Sequence, residues 1–159
     1  MSVTAAAGFA AGGFACGIKP DGQLDLAVVT AVAGTIGAAV FTTNRAAAAP
    51  VVVSRSNLAD GPSVRAVVVN SGCANAGTGD EGIAAALTTV AAVAADVGCD
   101  PDEVLVCSTG GIGKPLEVDK VVAGLASLIP HVASSPGSGT SAAEAIMTTD
   151  TVPKETLYR

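Results

Sequence analysis

Twice in succession the sequence passes from a short apolar stretch through a glycine-rich segment into a run long enough for a helix, and that recurrence restricts the folds open to it. The first unit is "VRAVVV" (64–69), then "NSGCANAGTG" (70–79), then a helix opened by Asp80 and Glu81 and reaching about Val97. Acidic residues suit the positive end of a helix dipole, and Gly98 and Pro101 supply the stop. The second unit is "EVLVCS" (103–108), "TGGIGKP" (109–115) and "LEVDKVVAGLASLI" (116–129). In its helix Val118, Val121, Val122, Leu125, Leu128 and Ile129 share one face. Two such units predict an α/β fold, a layered sandwich of sheets and helices, with backbone N–H groups presented at two glycine-rich turns.

The flanking segments are read by the same periodicities. "LDLAVVTAV" (24–32) and "AAVFTT" (38–43) read as strands, and "PVVVS" (50–54) as a third. "PHVASSPGSGTS" (130–141) reads as a polar loop, followed by a short Ala-rich helix over 142–146 and then "MTTDT". A length of 159 residues suits a single domain, 1–159. Half the residues are apolar but only 3% are aromatic, so Ala, Val, Ile and Leu must build the core. Burial stabilises by roughly 25 cal/mol per Å², so small side chains gain little each and a partner surface more readily completes the core.

Several function classes drop out. The net charge is −6 and the eight Lys and Arg are scattered, which argues against nucleic acid. Four cysteines without a CxxC pair and a single His give neither a disulfide framework nor a zinc pattern, so reduced thiols and no metal are expected. The charge-free stretch 27–43 is diluted by Gly34, Gly37 and four threonines, which speaks against a membrane span. No Lys or Arg precedes Lys19, so the charged region of a signal peptide is missing and a cytoplasmic location is expected.

"VLVCSTGGIGKP" (104–115) is the stretch with most chemical content. A Gly-rich turn after a buried strand can cradle a phosphate, stabilise an oxyanion or simply reverse the chain. The phosphate-loop pattern fails twice, because Ser108 stands where its first Gly belongs and Pro115 follows Lys114. No GxGxxG follows either strand, so a dinucleotide fingerprint fails as well. Cys73 as a nucleophile would need a base, and the one candidate is His131 in a polar loop. Cys107 closes an apolar strand and reads as core. In "TTDT" (148–151) the hydroxyls and carboxylate either line a site or satisfy a turn.

Five blocks together resemble the N-terminal half of ornithine acetyltransferase, also called glutamate N-acetyltransferase. They are "GFAAGGFACGIKPDGQLDLAVV" (8–29), "AAVFTTNRAAAAPV" (38–51), "AVVVNSGCANAGTGDEG" (66–82), "CSTGGIGKPL" (107–116) and "AIMTTDTVPKE" (145–155). The chain departs from the family at the alanines 46–49 and at Cys73, neither of which is a catalytic position. The resemblance implies an enzyme of arginine biosynthesis that moves acetyl from N-acetylornithine to glutamate through an acetyl-threonine intermediate. It implies a precursor that cuts itself at an Ala-Thr bond into α and β chains, with the new N-terminal Thr as nucleophile and its amine as base.

By the same resemblance, Thr109 through its hydroxyl and Gly110 through its backbone N–H form the oxyanion hole, and Thr148 binds substrate. The nucleophile would lie on a β chain that follows the residues seen here, so the chain is expected to be the α part of an α2β2 assembly. No cofactor is implied, although acetyl-CoA can serve some family members as acetyl donor. Three other readings stay open: a relative that binds acylated amino acids without turnover, a self-cleaving aminopeptidase-type hydrolase, and a structural α/β module.

Overall fold

The computed structural model describes residues 2–158. Four strands form one sheet in the order β1 (Phe9–Phe14), β2 (Leu26–Ala31), β3 (Ala66–Cys73) and β4 (Val104–Gly111). β1, β2 and β3 pair antiparallel, whereas β3 and β4 run parallel because the helix α2 (Gly79–Val97) carries the chain back between them. Side chains alternate across the pleat. Leu26, Val28, Val68, Val104 and Val106 are buried on one face with α1 (Ala49–Asp60), α2 and α3 (Val118–Leu128). Ala11 and Ala27 face the other way, onto Ala142 and Ala145 of α4 (Pro136–Ala145).

The small residues set the spacing of that second layer. A Cβ on Gly13 would lie 2.1 Å from the Ser141 carbonyl oxygen, so only glycine lets α4 come this close to β1. The Gly13 N–H donates to the Ser141 hydroxyl at 3.1 Å. α4 packs on β1 and β2, and on the same face the β3 and β4 residues Val67, Val69, Leu105 and Cys107 are not fully buried. Val40, Phe41, Val67, Leu105 and Cys107 line an apolar groove of about 310 Å³ there. The core reading of Cys107 is therefore corrected, because alternation along β4 turns it away from Val104 and Val106 and leaves it exposed.

The α/β reading holds, as do the two long helices, whose observed bounds are Gly79–Val97 and Val118–Leu128. Asp80 and Glu81 occupy the first turn of α2. Three expectations are overturned, and one strand was not anticipated. Residues 38–43 form no strand, since nothing pairs with them and Val40 is 99% exposed. Residues 50–54 are helical despite three valines, because Pro50 starts a helix at its first turn and Val53, Ser54 and Asn57 then face inward. β1 lies in a Gly- and Ala-rich stretch with little intrinsic strand preference and exists through pairing to β2. α4 begins at Pro136, where Ser135 caps it by accepting from the Ser138 N–H at 3.1 Å, so half of the expected polar loop is helix.

α1 also closes the outer edge of the sheet. The Ser54 hydroxyl donates to the Val106 carbonyl at 2.7 Å and accepts from the Val106 N–H at 2.9 Å, and Asn57 donates to the Val104 carbonyl at 2.8 Å. A strand edge left bare would offer these groups to other chains. Ser54→Val is expected to destabilise by about 2 kcal/mol, because two buried backbone groups lose their partner at once. Urea unfolding measures it, and an unchanged midpoint would mean that water or a shifted Asn57 fills the gap.

Candidate functional site

Parallel pairing brings the two glycine-rich segments to the same end of the sheet. They do not turn where the sequence suggested. β3 and β4 continue through them in register, Asn70 beside Ser108, Ser71 beside Thr109 and Gly72 beside Gly110, with a bulge at Gly72–Cys73. Asn70 is buried and joins both segments: its amide donates to the Cys73 carbonyl at 2.8 Å and its oxygen accepts from the Ser108 hydroxyl at 2.6 Å. Further on, the Ala74 N–H donates to the Gly111 carbonyl at 2.9 Å and the Gly113 N–H to the Ala76 carbonyl at 2.8 Å. Gly110 has φ +134°, and a Cβ on it would stand 2.4 Å from the Gly72 carbonyl carbon. No side chain fits, so the main chain itself faces whatever occupies the space beyond.

That space is an open cleft of about 480 Å³, lined among others by Lys19, Gly72, Thr109, Gly110, Thr148 and Thr149. The three residues singled out from sequence thus line one cavity from two separate segments. Thr109 is half-buried, whereas Gly110 and Thr148 are exposed. Thr148 arrives from the end of α4, which is pinned to β3 where the Ser71 hydroxyl donates to the Ala145 carbonyl. Asp150 accepts a long 3.5 Å bond from the Thr148 N–H and pairs with Lys154, which holds its carboxyl below the usual range. "TTDT" therefore does both things its composition allowed: Thr148 and Thr149 line the cleft and the Asp150 carboxylate ties the turn.

Lys19 on this wall and Asp25 buried behind it were not singled out as site residues from the sequence. Asp25, wholly buried, accepts from the N–H groups of Cys16 at 2.7 Å, Ile18 at 2.6 Å and Lys19 at 2.8 Å. The Lys19 ammonium donates to the Leu24 carbonyl at 2.9 Å and to the Met147 carbonyl. Burial lowers the Lys19 pKa, with the Asp25 charge opposing it. The available signal was a carboxylate inside an apolar run, "LDLAVV" (24–29), since a buried charge requires partners.

The cysteine and phosphate readings find no support. Cys73 is buried with its thiol on the Lys114 carbonyl at 3.3 Å, while His131 sits exposed in a short 3-10 turn after α3. Burial, and then the Asp25 carboxylate, push the Cys16 thiol up to about 12, which leaves almost no thiolate at neutral pH. Lys114 points to solvent and pairs with Glu117 at 3.6 Å. No described helix is long and apolar enough to cross a membrane.

The pattern of the ArgJ family matches residues 10–159. The arginine biosynthesis bifunctional protein ArgJ of Bifidobacterium longum is 50% identical over 156 residues, which are 97% of this chain and 40% of that protein. Its Neisseria meningitidis counterpart is 49% identical over 138 residues, 87% of this chain and 32% of that protein. The chain thus spans well under half of these relatives. Among solved structures, ornithine acetyltransferase from Mycobacterium tuberculosis, in complex with ornithine, superposes with a TM-score of 0.90 at 46% identity, covering 95% of this chain and 81% of that one. The arginine biosynthesis bifunctional protein of Bacillus halodurans gives 0.88 at 37% identity, covering 96% and 78%.

Proposed function

The chain belongs to the ArgJ family, and from that premise we propose that it is the α part of an ornithine acetyltransferase, transferring acetyl from N-acetylornithine to glutamate. The meeting of Thr109, Gly110 and Thr148 at one cleft carries this reading. In the transfer, the hydroxyl of a threonine on the β chain attacks the acetyl carbonyl. The new C–O bond forms, the C–N bond breaks, and ornithine leaves with the proton on its amine. The glutamate amine then attacks the acetyl-threonine ester and restores the hydroxyl. Each attack passes through a tetrahedral intermediate whose oxygen is negative, and the Thr109 hydroxyl and Gly110 N–H donate to it. Thr148 holds the acylated amino acid across the cleft. No bound cofactor takes part, and acetyl-CoA enters only as an alternative acetyl donor.

The apolar groove over β3 and β4 supports completion of the core by the β chain. Val40, Phe41, Leu105 and Cys107 offer a surface that a monomer would ordinarily cover. An α2β2 assembly in the cytoplasm follows from the same reading. The complete protein containing this chain is expected to separate into two polypeptides, the second beginning with Thr, and to make N-acetylglutamate from N-acetylornithine and glutamate. Denaturing mass spectrometry, N-terminal sequencing and a transfer assay test both points. An unprocessed single polypeptide without transfer would defeat the proposal.

A further inference from the structure

We propose that Lys19 is a positioning residue for substrate, clamping the segment that carries Thr148 onto the glycine-rich end of the β3–β4 pair, where Gly72 lies beside Gly110. This rests on the acetyltransferase reading and extends it to a residue with no role there so far. Lys19 touches both walls of the cleft. Its stem lies along the end of β3, where a Cβ on Gly72 would stand 3.2 Å from the Lys19 Cγ, and Gly72 is the register partner of Gly110. Its ammonium crosses to the Met147 carbonyl, one residue before Thr148, and reaches the Leu24 carbonyl at 2.9 Å. Thr148 and Thr149 are exposed. The position of Thr148 therefore depends on the Met147 tether, on the α4 end fixed by Ser71 and on the long 3.5 Å bond from its own N–H to Asp150.

The base of the clamp is itself held. Asp25 lies at the head of β2 and receives the Lys19 N–H at 2.8 Å and the Ile18 N–H at 2.6 Å, so the loop before β2 is tied at the point where the lysine leaves it. An ammonium has three donors on one nitrogen, and a single nitrogen can serve two carbonyls that converge. Methionine matches the stem but donates nothing, which leaves the Met147 carbonyl and Thr148 free to drift.

The test is steady-state acetyl transfer by the complete enzyme carrying Lys19→Met, Thr148→Ala or both. Lys19→Met is expected to raise KM for the acetylated amino acid about 10-fold with kcat within about two-fold, the pattern of lost ground-state binding. Beside Thr148→Ala the same change is expected to add almost nothing, because residues acting through one contact are not additive. An unchanged KM, or a full 10-fold penalty on top of Thr148→Ala, would overturn the assignment, the second by showing a general structural effect. Should Lys19→Met fail to assemble, Lys19→Arg replaces it. The guanidinium keeps the charge and has donors enough, but they lie in one fixed plane and farther from the backbone than the Lys19 nitrogen. The two carbonyls are then met in poorer geometry, so KM should rise about three-fold, again only when Thr148 is present. A wild-type KM in Lys19→Arg would overturn the clamp. Absence of transfer in the unmutated enzyme would instead defeat the acetyltransferase reading, and the clamp with it.

Discussion

Thr109→Ala in the complete enzyme is expected to lower kcat for acetyl transfer by about 10²- to 10³-fold with KM nearly unchanged, the usual cost of one oxyanion donor. The selectivity for kcat follows from where the charge appears. A ground-state amide oxygen is a modest acceptor, whereas the tetrahedral oxygen is fully negative and bonds far more strongly to a hydroxyl already aimed at it. Thr109 is half-buried at a point where the parallel ladder with Ser71 fixes its main chain. Removing its side chain should therefore leave stability within about 1 kcal/mol, as for most substitutions away from a packed core. Thr109→Ser retains the hydroxyl and should recover most of the rate. Steady-state kinetics beside thermal unfolding decides the matter. A loss under three-fold at unchanged stability would give this end of β4 a structural role only and remove Thr109 from the mechanism.

The parts of the fold that were legible in the sequence are those where local pattern and tertiary demand agree. The face of α3 that carries Val121, Leu125 and Leu128 is a helical repeat, and the structure buries those three. The acidic start of α2 was legible for the same reason. α1 failed because three consecutive valines favour a strand, while its actual contacts, Ser54 and Asn57 on the edge of β4, are long-range and leave no local trace. β1 was not anticipated at all: it has almost no strand preference of its own, and a neighbour at full register supplies the ladder.

The site divides along similar lines. Thr109, Gly110 and Thr148 were found through resemblance, and their common cleft was not visible in spacing, because parallel pairing and the end of α4 bring them together. Lys19 and Asp25 act by contacts with main-chain groups. Such contacts have no motif, and only the charge of Asp25 amid Leu24 and Leu26 hinted at them.

Asp25→Ala is expected to cost about 4 kcal/mol of stability, the largest loss foreseen for any single polar side chain in this fold. Its carboxylate collects three main-chain N–H groups, and a bond to a charged group contributes roughly 1.5–3 kcal/mol. Truncation leaves those donors inside the protein without an acceptor, beside a side chain that was 0% exposed. Asp25→Asn should lose nearly as much, since its NH₂ would face N–H donors where an oxygen is needed. Urea unfolding of the complete enzyme gives the number. A loss below about 1 kcal/mol would mean that ordered water takes over the three donors, which a polar cavity of that size can permit. The two outcomes also separate cause from consequence at the cleft. If the loop before β2 loosens with Asp25, Lys19 loses its anchor, and KM for the acetylated substrate should rise in Asp25→Asn as is expected for Lys19→Met. If water holds the loop in place, Lys19 still reaches Met147 and KM should stay where it was.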